Sequence, residues 1–259
     1  MGNWLLILPV VWMAVIVFSG TYLVSWLIQS IVMRLAVGER AKALKGLSPG
    51  MLPPLGIIFG LLVGFIAAQV WSDFEKAKVA VANEASALRT VYLLSENLPA
   101  EPQARLRSLV TEHINTAVNQ EWPAMAQRRA TLSALPTHLI EAMKTALGIT
   151  PADEGQRTAQ HEVIAALESA LEARRQRIVI SQSSVTTVKW AGLLLQGLCA
   201  LIAIALVHSD NRLTCRIALG LFATGIALSV LLIAAYSHPF TGEISVGPEL
   251  LKQVLSAHT

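Results

Sequence analysis

Charge is scarce in this sequence. Of its 259 residues only 14% are charged and 54% are hydrophobic, whereas a soluble domain carries about 25% charged residues. That balance excludes a disordered chain, which needs low hydrophobicity and high charge. Cysteine is scarce too. Cys199 and Cys215 lie in or beside apolar runs, with no Cys-x-x-Cys pair; this excludes a disulfide-stapled domain and reads both as small apolar residues. Aromatic residues are 6% of the chain, and no basic stripe is interleaved with them, which excludes nucleic acid as a partner. Enzyme signatures are missing as well. His161-Glu162 lacks the second histidine of a metalloprotease helix, and no nucleophile elbow, phosphate loop or dinucleotide fingerprint occurs. His113 and His138 stand alone, and no acidic cluster has calcium-site spacing. The sequence therefore predicts no catalytic site, no metal and no cofactor, with the two histidines as satisfied core or surface residues.

What is present is apolar length. Crossing a bilayer takes about 20 apolar residues, and four stretches qualify: Trp4–Met33, Pro54–Trp71, Trp190–Val207 and Ile217–Tyr236. The first has no Lys or Arg ahead of it and is too long for a signal peptide, so it is expected as a retained helix, with Pro9 in its first turns and Ser19-Gly20 as a place to bend. The two short links are basic: Arg34, Arg40, Lys42 and Lys45 in one, Arg212 and Arg216 in the other. The positive-inside rule then puts these links in the cytoplasm. Both termini and the segment Ser72–Lys189 are expected on the outer, periplasmic side of the inner (plasma) membrane.

Ser72–Lys189 reads as helical throughout. Ala77, Val81, Leu88, Val91 and Tyr92 recur at helical steps, and nothing between Gly64 and Leu98 breaks the pattern, so the second span is expected to continue as one rod until Pro99 and Pro102 end it. A second helix is expected from Arg105 to about Glu121, interrupted or bent at Pro123, then a shorter one from Pro136 to Leu147. A last helix from about Glu154 meets no Gly or Pro before Gly192 and is expected to run straight into the third span. The predicted architecture is an all-α membrane protein with three parts: residues 1–71 as the first helix pair, 72–189 as a helical extramembrane stalk, and 190–259 as the second pair with a tail.

Within the second span, Gly56, Gly60, Gly64 and Ala68 form a stripe of small residues, a surface on which another helix can pack closely. The opposite face presents Ile58, Leu62, Phe65 and Gln69, a candidate pore lining that begins with apolar rings able to gate by dewetting and ends in a polar amide; the same side chains could instead face lipid. No span carries an Asp, Glu, Lys or Arg near its middle, which fits passive conduction better than coupled transport. On the stalk, Arg174-Arg175-Gln176-Arg177 reads most simply as a solvated or salt-bridged face.

Several stretches, in order, resemble the bestrophin-like (DUF4239) family: Phe59-Gly60-Leu61-Leu62-Val63-Gly64-Phe65, Val70-Trp71, Glu84-Ala85-Ser86-Ala87-Leu88-Arg89, Glu121-Trp122-Pro123-Ala124-Met125, Arg174-x-x-Arg177 and Pro239-Phe240-x-Gly242. Bestrophins are pentameric anion channels with an apolar neck on the second span. The resemblance thus implies a homopentamer with Ile58, Leu62 and Phe65 or their neighbours in that neck, and small ions as its cargo. It also implies termini and a helical domain in the cytosol, opposite to the side the basic links favour. No counterpart of the calcium clasp is present, so calcium gating is not implied. The motifs carry a structural expectation too: Glu84, Arg89, Glu121, Arg174 and Arg177, with Trp122 packed over them, form a buried stalk network. Pro239-Phe240-Thr241-Gly242 reads as a turn docking the tail at the membrane interface. The leading expectation is a homo-oligomeric ion channel in a lipid bilayer; the alternative is a membrane-anchored scaffold or envelope sensor whose stalk binds a partner without conduction.

Overall fold

The computed structural model describes residues 9–36 and 50–256, and within them all regular structure is helical. In chain order the helices are α1 (Val10–Leu35), α2 (Leu52–Leu94), α3 (Ala100–Thr116), α4 (Trp122–Ala126), α5 (Thr137–Leu147), α6 (Glu154–Ser181), α7 (Thr187–Val207), α8 (Arg212–Tyr236) and α9 (Glu249–Ser256). Trp4, Arg40, Lys42 and Lys45 lie outside the described residues. The chain divides into two compact units. One, the membrane unit, takes the chain up to Ser72 with Ser184–His238 and Gly242–Ile244; the other, the helical unit, takes Asp73–Ser183, Pro239–Thr241 and the chain from Ser245.

In the membrane unit, α1, α2, α7 and α8 are each long and apolar enough to cross a bilayer. Each helix buries a single stripe. Met13, Val17, Ile28 and Val32 from α1 meet Leu219, Ala223, Ala227, Val230 and Ala234 from α8, with Leu193, Leu201 and Ile204 of α7 and Phe59, Ile66 and Val70 of α2 completing the core. Alanines on α8 let α1 approach closely. Polar side chains then fix the pairing: the Tyr22 hydroxyl meets that of Thr224 at 2.7 Å, and the Gln29 amide donates to the Arg212 carbonyl at 3.1 Å. Terminal amides find acceptors too. The Val10 N–H donates to Glu243 at 3.0 Å, and Asn211 caps α8 by accepting from Leu213 and Thr214. Pro9 is the N-cap of α1, and the helix runs unbroken through Ser19-Gly20.

The helical unit is built on a stripe of α2, Ala77, Val81, Leu88 and Val91, packed with Leu106, Leu109, Val110 and Ile114 of α3, Leu139 and Ala142 of α5, and Val163, Leu167 and Ala170 of α6. Asp153 caps α6 by accepting from the Gln156 N–H at 2.8 Å, while the Gln156 side chain accepts from Ala152.

Four local expectations change. First, α2 ends in a 3-10 turn at Ser95–Asn97, and Pro102 sits inside the first turn of α3, where its missing N–H costs nothing. Second, α3 passes into a π-turn at Ala117–Glu121 before α4. Pro123 has no N–H to offer the carbonyl one turn back, so the backbone widens there instead of breaking. Third, α6 does not run into the third span. It stops at Ser181, and α7 starts at Thr187. Here Ser181 and Ser183 turn their hydroxyls onto the Ile178 and Ile180 carbonyls, the last amides close i to i−3 turns, and Thr186 is extended; hydroxyls that bond locally offer the backbone an alternative to helix. Fourth, the tail packs into the helical unit, where Phe240, Leu251 and Val254 belong to the core.

Candidate functional site

Two arrangements carry candidate chemistry, one in each unit. In the membrane unit it is the uncovered side of α2. Phe59, Ile66 and Val70 take the core side, with Leu62, Val63 and Ala67 partly buried beside them. At about 100° per residue, the rest of the circumference is open: Ile57, Ile58, Leu61 and Phe65 are all exposed, Phe65 at 72%. The small-residue stripe shares this open side. A Cβ built on Gly56, Gly60 or Gly64 meets no atom within 4 Å, and Ala68 is exposed, so among the described residues no helix of the same chain packs on the stripe.

Of the proposed lining, Ile58 and Phe65 are therefore free, whereas Leu62 contributes to its own bundle's core because it lies beside Phe59 and Ile66. Gln69 is half-buried, and its amide oxygen accepts from the Lys189 ammonium at the start of α7. At the same end of the bundle Trp71 stacks on Tyr236, with ring centroids 5.7 Å apart. Sequence pattern missed Lys189, because it is distant in the chain and its partner is an amide. It also missed the exposed ladder Ile57, Leu61 and Phe65 at i, i+4 and i+8.

In the helical unit the arrangement is ionic. Glu84 on α2 and Arg177 on α6 are both fully buried. Arg177 donates through Nε to Glu84 Oε2 at 2.6 Å and through Nη2 to Glu84 Oε1 at 3.0 Å, and also to Glu121 Oε2 at 2.8 Å. Arg174 donates to Glu121 Oε1 at 2.8 Å and to the Ala134 carbonyl at 3.1 Å. The π-turn ends at Glu121, which presents its carboxylate to both arginines. Trp122 roofs the pair: its ring lies 4.5 Å from the Arg177 guanidinium carbon, its indole N–H donates to the Val246 carbonyl, and Phe240 meets it edge-on. Gly242, at φ 89°, lets the chain turn there.

Arg89 differs from expectation, and His113, a satisfied core residue as expected, proves to be part of the network. Arg89 is exposed and lies outside the network, because it lies five residues on from Glu84 and so points about 140° away around α2. His113 joins it: buried on α3, its Nε2 lies 3.0 Å from Glu84 Oε1. On α6, Arg174 and Arg177 are buried, whereas Arg175 and Gln176 face solvent as the simple reading has it.

Burial alone would raise the Glu84 carboxyl's pKa, but the Arg177 charge and the hydrogen bonds from His113 and Arg177 outweigh it and hold it at about 2, against an ordinary 4.5. Glu121 is lowered in the same way, with Arg177 and Arg174 outweighing burial, and Glu84 holds Arg177 charged despite burial. Two carboxylates and two guanidiniums cancel, so the network is neutral and hydrogen-bonded, the condition under which charge can be buried.

Residues 19–251 match the Bestrophin-like domain. No curated protein matches the chain. Among solved structures, a variant of a bacterial bestrophin homologue from Klebsiella pneumoniae superposes with a TM-score of 0.70 at 15% identity, covering 93% of this chain and 97% of its own. A second variant of a Klebsiella pneumoniae homologue gives 0.67 at 14%, over 92% and 96%. A crystal structure of a membrane protein variant gives 0.68 at 14%, over 93% and 96%. The fold is therefore the bestrophin fold, the four apolar helices make the chain a multi-pass membrane protein, and by its domain match the chain belongs to the Bestrophin-like family.

Proposed function

We propose that the chain assembles into a homo-oligomeric ion channel, a pentamer by its family resemblance, with α2 lining the pore. The observation that carries this is the open side of α2. Apolar side chains fill the described interior of the membrane unit, so an aqueous path must run between copies. A ring of copies turning Ile58, Phe65 and their neighbours Ile57 and Leu61 toward the axis makes an apolar constriction that gates by dewetting. The glycine flank gives each α2 a close-packing surface for its neighbour. Lys189, held at Gln69, supplies positive charge at the polar end of that face and favours anions.

For sidedness we keep the charge reading. Arg34 ends α1 and Arg212 begins α8, and the Gln29 contact with Arg212 sets these basic ends together. With them in the cytoplasm of an inner-membrane protein, the helical unit and the termini are periplasmic. Cysteine labelling of the stalk in intact cells is the check, and labelling only after lysis reverses the assignment.

Purified full-length protein in planar bilayers tests conduction. The expected result is single-channel current that reverses near the anion equilibrium potential in a salt gradient. Silence across several salts and pH values, or a stable monomer in detergent, rejects the channel in favour of a scaffold.

A further inference from the structure

The helical unit contains a cavity of about 420 Å³ beside the ionic network, lined from the end of α3, the π-turn, the α4–α5 connection, the start of α5, and α6. A space of this size takes a small organic molecule, well beyond a single halide ion. Its shape follows from backbone features already described. The π-turn carries Gln120 and Glu121 onto its wall. After α4 the chain passes through Arg128 at φ 58°, and the amides of Arg129 and Ala130 both return to the Ala124 carbonyl, at 2.8 and 3.2 Å. That closure fixes where Arg129 stands.

The charges on the wall do not cancel. Both oxygens of Glu121 are taken by Arg174 and Arg177, and both oxygens of Glu84 behind it are taken by Arg177, with His113 also on one of them. His138 is held by Glu112, which is not part of the lining, at 3.1 Å. Arg128 reaches the Gln182 carbonyl at 3.5 Å and adds positive charge nearby. That leaves Arg129, which makes no ion pair or side-chain hydrogen bond among the described residues, and the one carboxylate on the wall, Glu121, is already satisfied by Arg174 and Arg177. Thr116, Gln120 and Thr137 offer further donors to the same space, while Leu135 and Ile178 provide apolar wall.

An excess of donors, one uncompensated guanidinium and an apolar wall define a ligand by its chemistry: one negative charge with two acceptor oxygens, on an apolar body. We propose that this cavity binds a small organic carboxylate of about benzoate size, its anionic group held by Arg129 with Thr116, Gln120 and Thr137, and its body against Leu135 and Ile178. The pairing is bidentate, the geometry a guanidinium and a carboxylate share. This site is independent of conduction and stands whether or not the protein is a channel.

Isothermal titration of the full-length protein in detergent with benzoate, and with benzamide as the neutral isostere, tests it. The expected result is saturable benzoate binding, with benzamide at least tenfold weaker. Arg129→Gln should weaken benzoate at least tenfold and leave benzamide unchanged, while Arg129→Lys should retain most of the preference for the anion. Arg129 is exposed, and an unchanged melting curve for both variants separates loss of the site from loss of the fold. Absence of saturable benzoate binding, equal affinity for the two probes, or an Arg129→Gln variant that binds benzoate like the wild type overturns the proposal.

Discussion

The two units solve the same problem, holding helices in register, with opposite materials. The membrane unit packs apolar stripes and leaves much of its apolar surface open, Phe65, Leu61 and Ile57 among it. In lipid an open leucine costs little, so register comes from small residues and from a few polar contacts such as Tyr22 with Thr224. The helical unit has an alanine-rich core whose centre is charged, with Glu84 and Arg177 replacing a hydrophobic layer. Apolar faces in water stick in many registers; a buried pair that is satisfied in one arrangement and costly in all others selects that one. Polar specificity is thus peripheral in one unit and central in the other.

The largest expected effect breaks the central pair. Glu84→Ala leaves Arg177 buried without its bidentate partner, and should cost about 3–5 kcal/mol of stability in the helical unit, read as a lowered melting temperature by circular dichroism. Replacing both partners, Glu84→Leu with Arg177→Met, keeps the Glu121–Arg174 pair and should cost distinctly less than the single change. A double variant as unstable as Glu84→Ala would show that the ion pair itself, and not the orphaned charge, supplies the stability.

Acid sharpens the contrast. Glu84 titrates near 2 in the folded unit against an ordinary 4.5, so its contribution, about 3 kcal/mol, is fully present above pH 4.5 and lost as pH falls toward 2. Glu121 shifts in the same direction. Melting of the helical unit should therefore hold steady from pH 7 to 5 and fall below that. The membrane unit buries no carboxylate among its described residues and should not follow. A melting temperature that rises on acidification would contradict the network as described.

These differences also explain which parts could be read from sequence. The spans were legible because lipid demands one thing, uninterrupted apolar length, and α2 was legible as a single rod because no Gly or Pro falls between Gly64 and Leu98. The stop at Ser181 was not, because it depends on serine hydroxyls bonding to nearby carbonyls rather than on Gly or Pro. In the network, Glu84 falls between Val81 and Leu88 on the core stripe, and Arg174 and Arg177 continue Val163, Leu167 and Ala170. Helical period could have placed all three inside. It could likewise have found His113, one step before Ile114 on the apolar face of α3. Arg89 failed because the motif around it mixes two faces of one helix, and proximity in sequence is not proximity in register.

Within α2 the comparison can be made one residue apart. Ile66 is 3% exposed and Phe65 is 72% exposed. Ile66→Asp puts a charge into the packed core of the bundle, where it should cost about 3 kcal/mol or more and abolish recovery of folded protein on size-exclusion chromatography. Phe65→Asp should leave folding intact and change single-channel conductance. Currents indistinguishable from wild type would remove Phe65 from the pore lining and return that face to lipid.

The smallest effect tests the glycine flank. Glycine in a helix interior is less stable than alanine by about 0.5–1 kcal/mol, and no described atom of its own chain lies within 4 Å of a Cβ at Gly60. Judged as a lone protomer, Gly60→Ala should be mildly stabilising. If a neighbouring copy's helix lies against the stripe, the added methyl enters that contact, and the same substitution should shift detergent-solubilised protein toward lower mass while the protomer's own melting temperature does not fall. One variant thus reads two surfaces with opposite signs. A stabilised protomer whose assembly is untouched would mean that the stripe faces lipid, and the copies would have to meet through another side of α2.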